Sequence, residues 1–525
     1  MMAAYYHGKP ICLVLEAVLD FIFDTDDRCG DLNGRLSGIL YGNQEENTSM
    51  TRYQLLATLL AQRIEQGLYQ SGERLPSVRA LSQEHGVSIS TVQQAYHLLE
   101  EKRLIVPLPR SGYFVKPRMA AAPIPAMTRP VQRPVEITRW DSVLNLLRSR
   151  TDPEILQLGG SLPDLAQSTL KPLWKNINRI GQKQDIATLG YDGPDGLPLL
   201  REQIARLMID SGCQLSAQDI IVTHGCTQAL SIAIRAVCNP GDIVAIESPV
   251  FHCIMQILCG YGIKVIEIPT DFSSGISLEA LELALEQWPV KAVLTVPNCN
   301  NPLGFVMPEH RKRALMTLAQ RYDIAIIEDD VYGDLTYDYP RPITLKSLDY
   351  DGRVLTCSSF SKTLAPGLRI GWVAPGRYLD RALYMKYTST GAISIYFQQA
   401  VAEFIQQGYY MPHVRRMRAF YQRNLEALVN LVRRVFPDTI CLSRPQGGFV
   451  LWVELPEEFD GVRLNHSLAN KKIRIYEGEL FSVGGKYRHC LRLSYALPLT
   501  PEREAAIITL GNVIVGELAS NPVAG

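Results

Sequence analysis

Residues 324–335 read IAIIEDDVYGDL, and residues 354–372 read VLTCSSFSKTLAPGLRIGW. The apolar run Ile324 to Ile327 predicts a buried parallel strand. Asp329 and Tyr332 follow at its carboxyl end, where open α/β sheets place their ligand sites. A second strand, Val354 to Cys357, leads into Ser359, Phe360, Ser361 and Lys362, with Arg369 one short loop later. Upstream, a third apolar strand, Ala292 to Val296, leads into NCNNPLG at residues 298–304. Taken singly, a lysine after a strand reads as a solvated surface residue, and Asp-x-x-Tyr or Asn-Pro-x-Gly as turn residues. In order, on successive strand ends, they read as one site.

Those residues resemble the pyridoxal-phosphate-dependent enzymes of fold type I, the aspartate-aminotransferase-like group. The resemblance implies pyridoxal 5'-phosphate as cofactor and Lys362 as Schiff-base partner and catalytic base. It implies that Asp329 pairs with the pyridinium nitrogen, and that Tyr332 and Asn301 hydrogen-bond the ring's phenolic oxygen. The chemistry asks for these types. A carboxylate beside the ring nitrogen keeps it protonated, so the ring withdraws electrons. A lysine must lose its proton to attack an aldehyde, and a partly desolvated pocket with cationic neighbours helps it do so. Ser359 and Arg369 would hold the phosphate, the arginine by a bidentate fork.

Other positions follow from the same resemblance. In HGCTQA, residues 224–229, Cys226 and Thr227 open a helix whose backbone N–H groups form an anion site for the cofactor phosphate. Phe251 stands where the family stacks an aromatic ring on the pyridine. Tyr191, in LGYDGPDG, matches the tyrosine that relatives contribute across a two-fold dimer interface to the partner's cofactor. Arg492, in CLRLSYALP, matches the arginine that grips a substrate α-carboxylate. Gly447-Gly448-Phe449 is a family-like turn with a structural role.

Around this core, residues 136–520 alternate strands and helices. Strands are expected at Ile220–Thr223, Ile243–Ile246, Val265–Ile268 and Ile370–Ala374, and amphipathic helices at Leu278–Trp288 and Pro308–Tyr322. That alternation predicts an α/β domain with a mostly parallel sheet. From about Gln399 a smaller α+β lobe follows, which includes a strand at Phe449–Glu454 and the segment Cys490–Ala496.

Met50 to Pro117 has a different character. Leu56, Leu60, Ile64 and Leu68 fall on one helical face. Ser77 is placed to cap a second helix and Gly86 to end it; Ser88 caps a third, with Val92, Ala95 or Tyr96, and Leu99 buried. Two short strands follow around Ser111-Gly112. The arrangement resembles the GntR-type winged helix-turn-helix domain through LPSVRALSQEHGVSISTVQQAYHLLEEKRLI and RSGYFV. Residues 51–118 carry nine basic and five acidic side chains in a chain whose 53 basic and 53 acidic residues cancel. A basic module on a neutral protein is the footprint of phosphate contact with double-stranded DNA. Ser90, Thr91 and Gln94 would face the major groove. By family position Arg79 contacts DNA, and Arg110 with Gly112 shapes the wing tip. Ile89 and Gln93 stand where many such domains carry arginine, which affects the operator sequence.

Between the modules, residues 118–135 are rich in proline and alanine and predict a semi-extended tether. Residues 1–49 carry three basic and eight acidic side chains. They read as an appendage or as an over-extended reading frame with its natural start at Met50. No segment is long and apolar enough to span a membrane. Eleven cysteines without a Cys-x-x-Cys pair argue against a disulfide framework or zinc module, so no metal is expected, and favour a reducing cytoplasm.

The whole arrangement, covering residues 51 to about 515, resembles the MocR subfamily of bacterial transcription regulators. The resemblance implies a cytoplasmic homodimer that binds a promoter or operator and senses pyridoxal phosphate itself, or an amino acid or other amine effector, through the aminotransferase-like domain. The rival reading is a working aminotransferase whose DNA-binding module is autoregulatory.

Overall fold

The structure, a computed structural model, describes residues 51–70, 72–102, 104–108, 111–116, 122–127, 132–136, 143, 152–183 and 185–520, together with the short paired strands Tyr5–Tyr6 and Lys9–Pro10. Arg110 and nearly all of residues 1–49 lie outside the described residues. The chain divides into two compact units, 1–121 and 122–525.

The first unit contains helices α1 (Arg52–Glu65), α2 (Val78–Glu84) and α3 (Ile89–Glu101), then the hairpin β1 (Ile105–Leu108) and β2 (Gly112–Val115). Its helix starts are set by side chains. Ser77 Oγ accepts from Ala80 N at 3.2 Å and Ser88 Oγ from Thr91 N at 3.1 Å; each such cap is worth about 1 kcal/mol. Gly86, at φ +58°, lets the chain turn away after α2. Leu56, Leu60, Ile64, Leu81, Val92, Ala95, Tyr96 and Leu99 share one buried core. Leu68 does not join them: α1 ends at Glu65, so the helical period stops, and the side chain is 66% exposed. Tyr96 Oη donates to Pro76 O at 2.6 Å, which ties α3 to the turn before α2. Gly112 takes φ +102° at the hairpin turn, where a Cβ would stand 3.2 Å from Arg74 Nε.

The second unit is built on β3 (Ile221–Thr223), β4 (Ile243–Ser248), β5 (Lys264–Asp271), β6 (Gly275–Ile276), β7 (Val290–Thr295), β8 (Ala325–Asp329), β9 (Val354–Ser359) and β10 (Gly371–Ala374). Their order across the sheet is β3-β10-β9-β8-β7-β4-β5-β6. Strands β9, β8, β7, β4 and β5 pair in parallel, whereas β10 is antiparallel to both its neighbours. Most of these strands are buried throughout, which is why they read as continuous apolar runs. Strand β8 runs two residues beyond the apolar stretch because its acids find partners within the sheet layer. Glu328 accepts from Leu345 N at 2.7 Å and Thr356 Oγ1 at 2.8 Å.

Helices α4 (Lys171–Gln182), α5 (Cys226–Val237) and α6 (His252–Gly260) belong to this unit, and α7 (Tyr410–Val435) leads to the smaller lobe. There β11 (Cys441–Leu442), β12 (Val450–Glu454), β13 (Tyr476–Glu477) and β14 (Cys490–Ser494) form an antiparallel sheet in the order β11-β12-β14-β13. Strand β14 takes up the first five residues of the segment Cys490–Ala496, and its ladder with β12 ends at Val450–Ser494. Helix α7 joins two cores: Tyr410 and Val414 pack with the large-domain residues, and Met417, Tyr421 and Leu428 with the small lobe. The expected tether is partly docked on this unit. Pro123 O accepts from Leu442 N, and Val135 pairs with Val265.

Candidate functional site

Parallel pairing of β7, β8 and β9 brings three strand ends to one edge, and β8 sets Asp329 opposite Cys357 in the register. The amino terminus of α5 faces the same edge. Between them lies a cavity of about 250 Å³. Nine residues expected from the sequence line it: Lys362, Asp329, Tyr332, Asn301, Ser359, Arg369, Cys226, Thr227 and Phe251. Tyr191 does not. It is 98% exposed in the single chain.

Lys362 Nζ donates to Ser161 O at 2.7 Å and stands 5.8 Å from the Tyr332 ring centre. Asp329 is buried, and burial pushes its carboxyl up to about 6. Its Oδ1 accepts from Val331 N at 3.2 Å and from the Cys226 thiol at 3.5 Å; with Lys362 nearby, these contacts favour the ionised form. The side chain of Cys226 therefore serves Asp329, while its backbone belongs to the first turn of α5. Tyr332 is buried, and its phenol is pushed up to about 12, with Arg492 and Ser161 opposing the rise. Its hydroxyl makes no hydrogen bond of good geometry with a described residue.

At the other end of the cavity, Gly225 takes φ +78° immediately before α5, and Arg369 takes the left-handed φ of +54°. Arg369 Nη2 donates to His224 O at 2.7 Å. A Cβ on Gly225 would stand 2.9 Å from that guanidinium nitrogen, so glycine permits the close approach. Arg369 and the N–H groups at the start of α5 thus lie side by side, and Ser359 lines the same cavity.

Arg492, expected at a substrate carboxylate, is fully buried on β14 and is not among the residues that line the cavity. Its guanidinium donates to Asn301 Oδ1 at 2.8 Å and Gly159 O at 2.7 Å, and lies 4.7 Å from the Tyr476 ring centre and 5.8 Å from that of Phe251. Sequence reading passed over Ser161, Leu162, His252, Cys253 and Ser361, which also line the cavity. Ser361 and Cys253 lie beside recognised positions. Ser161 follows a Gly-Gly pair and carries no signal of its own, because it reaches Lys362 only through the fold.

In the first unit, Arg79, Ser90 and Gln94 are exposed, and Thr91 is half-buried. Thr91 and Ser90 hydroxyls both lie 2.8 Å from Ser88 Oγ, so the cap orders the start of α3. The buried partners of this helix, Val92, Ala95, Tyr96 and Leu99, leave the opposite stripe outward.

The cavity suits a phosphorylated pyridine aldehyde. It offers an anion corner made possible by Gly225, a carboxylate for a ring nitrogen, an unsatisfied buried phenol and an amine. Among the described residues no helix is long and apolar enough to cross a membrane.

Residues 52–115 match the family "Bacterial regulatory proteins, gntR family", and residues 153–507 match "Aminotransferase class I and II". The chain is 58% identical over 465 residues to the "Uncharacterized HTH-type transcriptional regulator YjiR" of Escherichia coli (strain K12), covering 89% of this chain and 99% of that one. It is 29% identical over 394 residues to the "Probable rhizopine catabolism regulatory protein MocR" of Rhizobium meliloti, covering 73% and 78%. The crystal structure of Pyrococcus horikoshii kynurenine aminotransferase in complex with PMP superposes with a TM-score of 0.67 at 31% identity, over 73% of this chain and 96% of that one. Carrying both modules in this order along nearly the whole of such a regulator, the chain belongs to the MocR subfamily of GntR-type transcriptional regulators, DNA-binding proteins that join a winged helix-turn-helix to an aminotransferase fold.

Proposed function

We propose that this regulator holds pyridoxal 5'-phosphate in the cavity at the ends of β7, β8 and β9 and reads an amino acid or related amine through it. When bound, the cofactor supplies a reactive carbonyl that amines can exchange onto. Lys362 is the chain's own amine for that carbonyl, and Ser161 O holds its nitrogen in place. Asp329 pairs with the ring nitrogen, Tyr332 and Asn301 face the phenolic oxygen, and Phe251 stacks on the ring. Ser359, Arg369, Thr227 and the backbone of Cys226 take the phosphate. Arg492 receives the effector's carboxylate. The carrying observation is one cavity lined by an amine, a buried carboxylate and a guanidinium, those of Lys362, Asp329 and Arg369, each supplied by a different strand end or loop.

In the DNA-binding unit, Arg79 meets phosphate, Ser90, Thr91 and Gln94 face the major groove, and Gly112 shapes the wing. A second copy of the chain covers the exposed apolar residues Trp174, Ile186, Leu189 and Tyr191, bringing Tyr191 to the partner's cofactor. Cytoplasmic residence fits a protein whose partner is DNA. A ligand that binds two arrangements of the lobes unequally shifts the equilibrium between them, and promoter affinity follows.

The test adds amino acids and a keto acid to the cofactor-loaded protein while absorbance, amino groups transferred and promoter affinity are followed together. A spectral change that stops at one equivalent and alters promoter affinity supports the sensor; many turnovers without a change in DNA binding would make it a transferase. In the same assay Arg79→Ala should weaken promoter binding roughly tenfold and lower the salt slope by about one, leaving the absorbance unchanged.

The pH response follows from Asp329. Its carboxyl is raised to about 6 by burial, and pairing with a protonated ring nitrogen needs the carboxylate. As pH falls below that value the pairing is lost, so cofactor affinity should drop by ~10-fold per pH unit. Asp329→Asn should bind more weakly at neutral pH and lose this dependence. Equilibrium dialysis across a pH series checks both.

A further inference from the structure

We propose that Glu454, His489 and Cys490 form a binding site for a divalent metal ion of the zinc class, separate from the cofactor cavity. One donor atom from each residue lies within 4.8 Å of the other two. His489 Nε2 is 3.9 Å from Glu454 Oε1. Tetrahedral zinc sites with sulfur, nitrogen and oxygen ligands place those atoms about 3.3–3.7 Å apart. Side-chain adjustments that shorten the widest separation by roughly 1–1.5 Å therefore close the set.

The fold supplies the convergence. Glu454 ends β12 and Cys490 begins β14, directly opposite it in the antiparallel register, so both side chains stand on one face of the small-lobe sheet. Leu455 N donates to His489 O at 3.0 Å, which fixes His489 beside them. No described residue donates a hydrogen bond of good geometry to the Glu454 carboxylate, and burial lowers the pKa of His489, which favours the neutral imidazole that a metal needs. Glu457 and Glu458 add negative charge around His489. Cys490 is buried, while the side chains of His489 and Glu454 are 21% and 25% exposed, so the cluster can be reached from solvent on their side.

The donor set selects the metal. A thiolate and an imidazole favour zinc and its softer neighbours over magnesium or calcium. Cys441, opposite Glu454 on the other flank, is two strands from Cys490, too far for a disulfide. Binding would displace the thiol proton of Cys490. The absence of a Cys-x-x-Cys motif does not bear on such a site, because its ligands come from paired strands.

The test uses the full chain stripped with chelator and titrated with Co²⁺, followed by its visible d–d bands and by displacement with Zn²⁺. One Co²⁺ per chain is expected, in bands lost on adding Zn²⁺. His489→Ala and Glu454→Gln, both at half-exposed positions, should each weaken binding at least tenfold, with promoter binding as the control for folding. Cys490→Ser should remove the sulfur-to-metal charge-transfer band. Absence of stoichiometric binding at micromolar metal, or binding unchanged in the His489 and Glu454 variants, would overturn the proposal.

Discussion

Lys362→Ala is expected to remove the absorbance of the lysine-linked cofactor completely, and borohydride, which fixes the link in the parent protein, should leave no labelled peptide. The effect is all-or-none because the covalent attachment needs a primary amine at that point in the cavity. Lys362 Nζ is held by Ser161 O at 2.7 Å, and no other described lysine lines the cavity. The fold should survive: the side chain is only half-buried, and loss of one hydrogen bond costs about 1 kcal/mol. The groups proposed to hold the phosphate, Ser359, Arg369 and the start of α5, are untouched, so the variant should still take up cofactor reversibly. Lys362→Arg keeps the cation and removes the chemistry. Promoter binding without effector should match the parent in both variants, while the response to an amino acid disappears. An unchanged spectrum in either variant would reject Lys362 as the attachment point.

Arg492→Lys is the second large effect. The guanidinium is fully buried, fixed by Asn301 Oδ1 and Gly159 O and walled by the rings of Tyr476, Phe481 and Phe251. A planar fork held this way is pre-organised for a carboxylate, whereas an ammonium offers a point charge and cannot reproduce two parallel bonds. Disrupting a buried, hydrogen-bonded charge pair costs about 2–5 kcal/mol, so the concentration of amino acid needed for half-response should rise between ~30-fold and several thousand-fold. A simple amine lacking the carboxylate should respond equally to parent and variant. That comparison separates loss of carboxylate recognition from general damage to the cavity. Equal losses for both ligands would assign Arg492 a structural role.

Four of the residues that the family resemblance picks out in the sequence share one property: each sits at the end of an apolar strand or in the turn that follows it. Asp329, Tyr332, Lys362 and Asn301 are therefore found by reading local pattern, and the parallel sheet then brings them together. Ser161 and Cys226 mark the limit of that reading. Ser161 comes from a segment far from Lys362 in the chain, and only packing places its carbonyl on the amine. The backbone of Cys226 was expected at the phosphate, but the thiol's contact with Asp329 depends on how α5 docks against β8. Leu68 fails for a different reason, because an apolar period continues past the last hydrogen-bonded turn of α1. The trio of Glu454, His489 and Cys490 has no sequence signature, since a strand pairing creates it.

Tyr191 stands 98% exposed beside Ile186 and Leu189, and this has a consequence for cellular dosage. If a partner's Tyr191 completes the phosphate site, a lone chain lacks one of its ten expected cofactor residues. Cofactor retention then depends on copy number, because whatever binds only the paired form shifts the equilibrium towards it. At low abundance the regulator would shed its cofactor by mass action. Two half-sites on one promoter would counter this by holding two chains at an effective concentration of about a millimolar. The operator would then act as a scaffold on which the small-molecule receptor is put together.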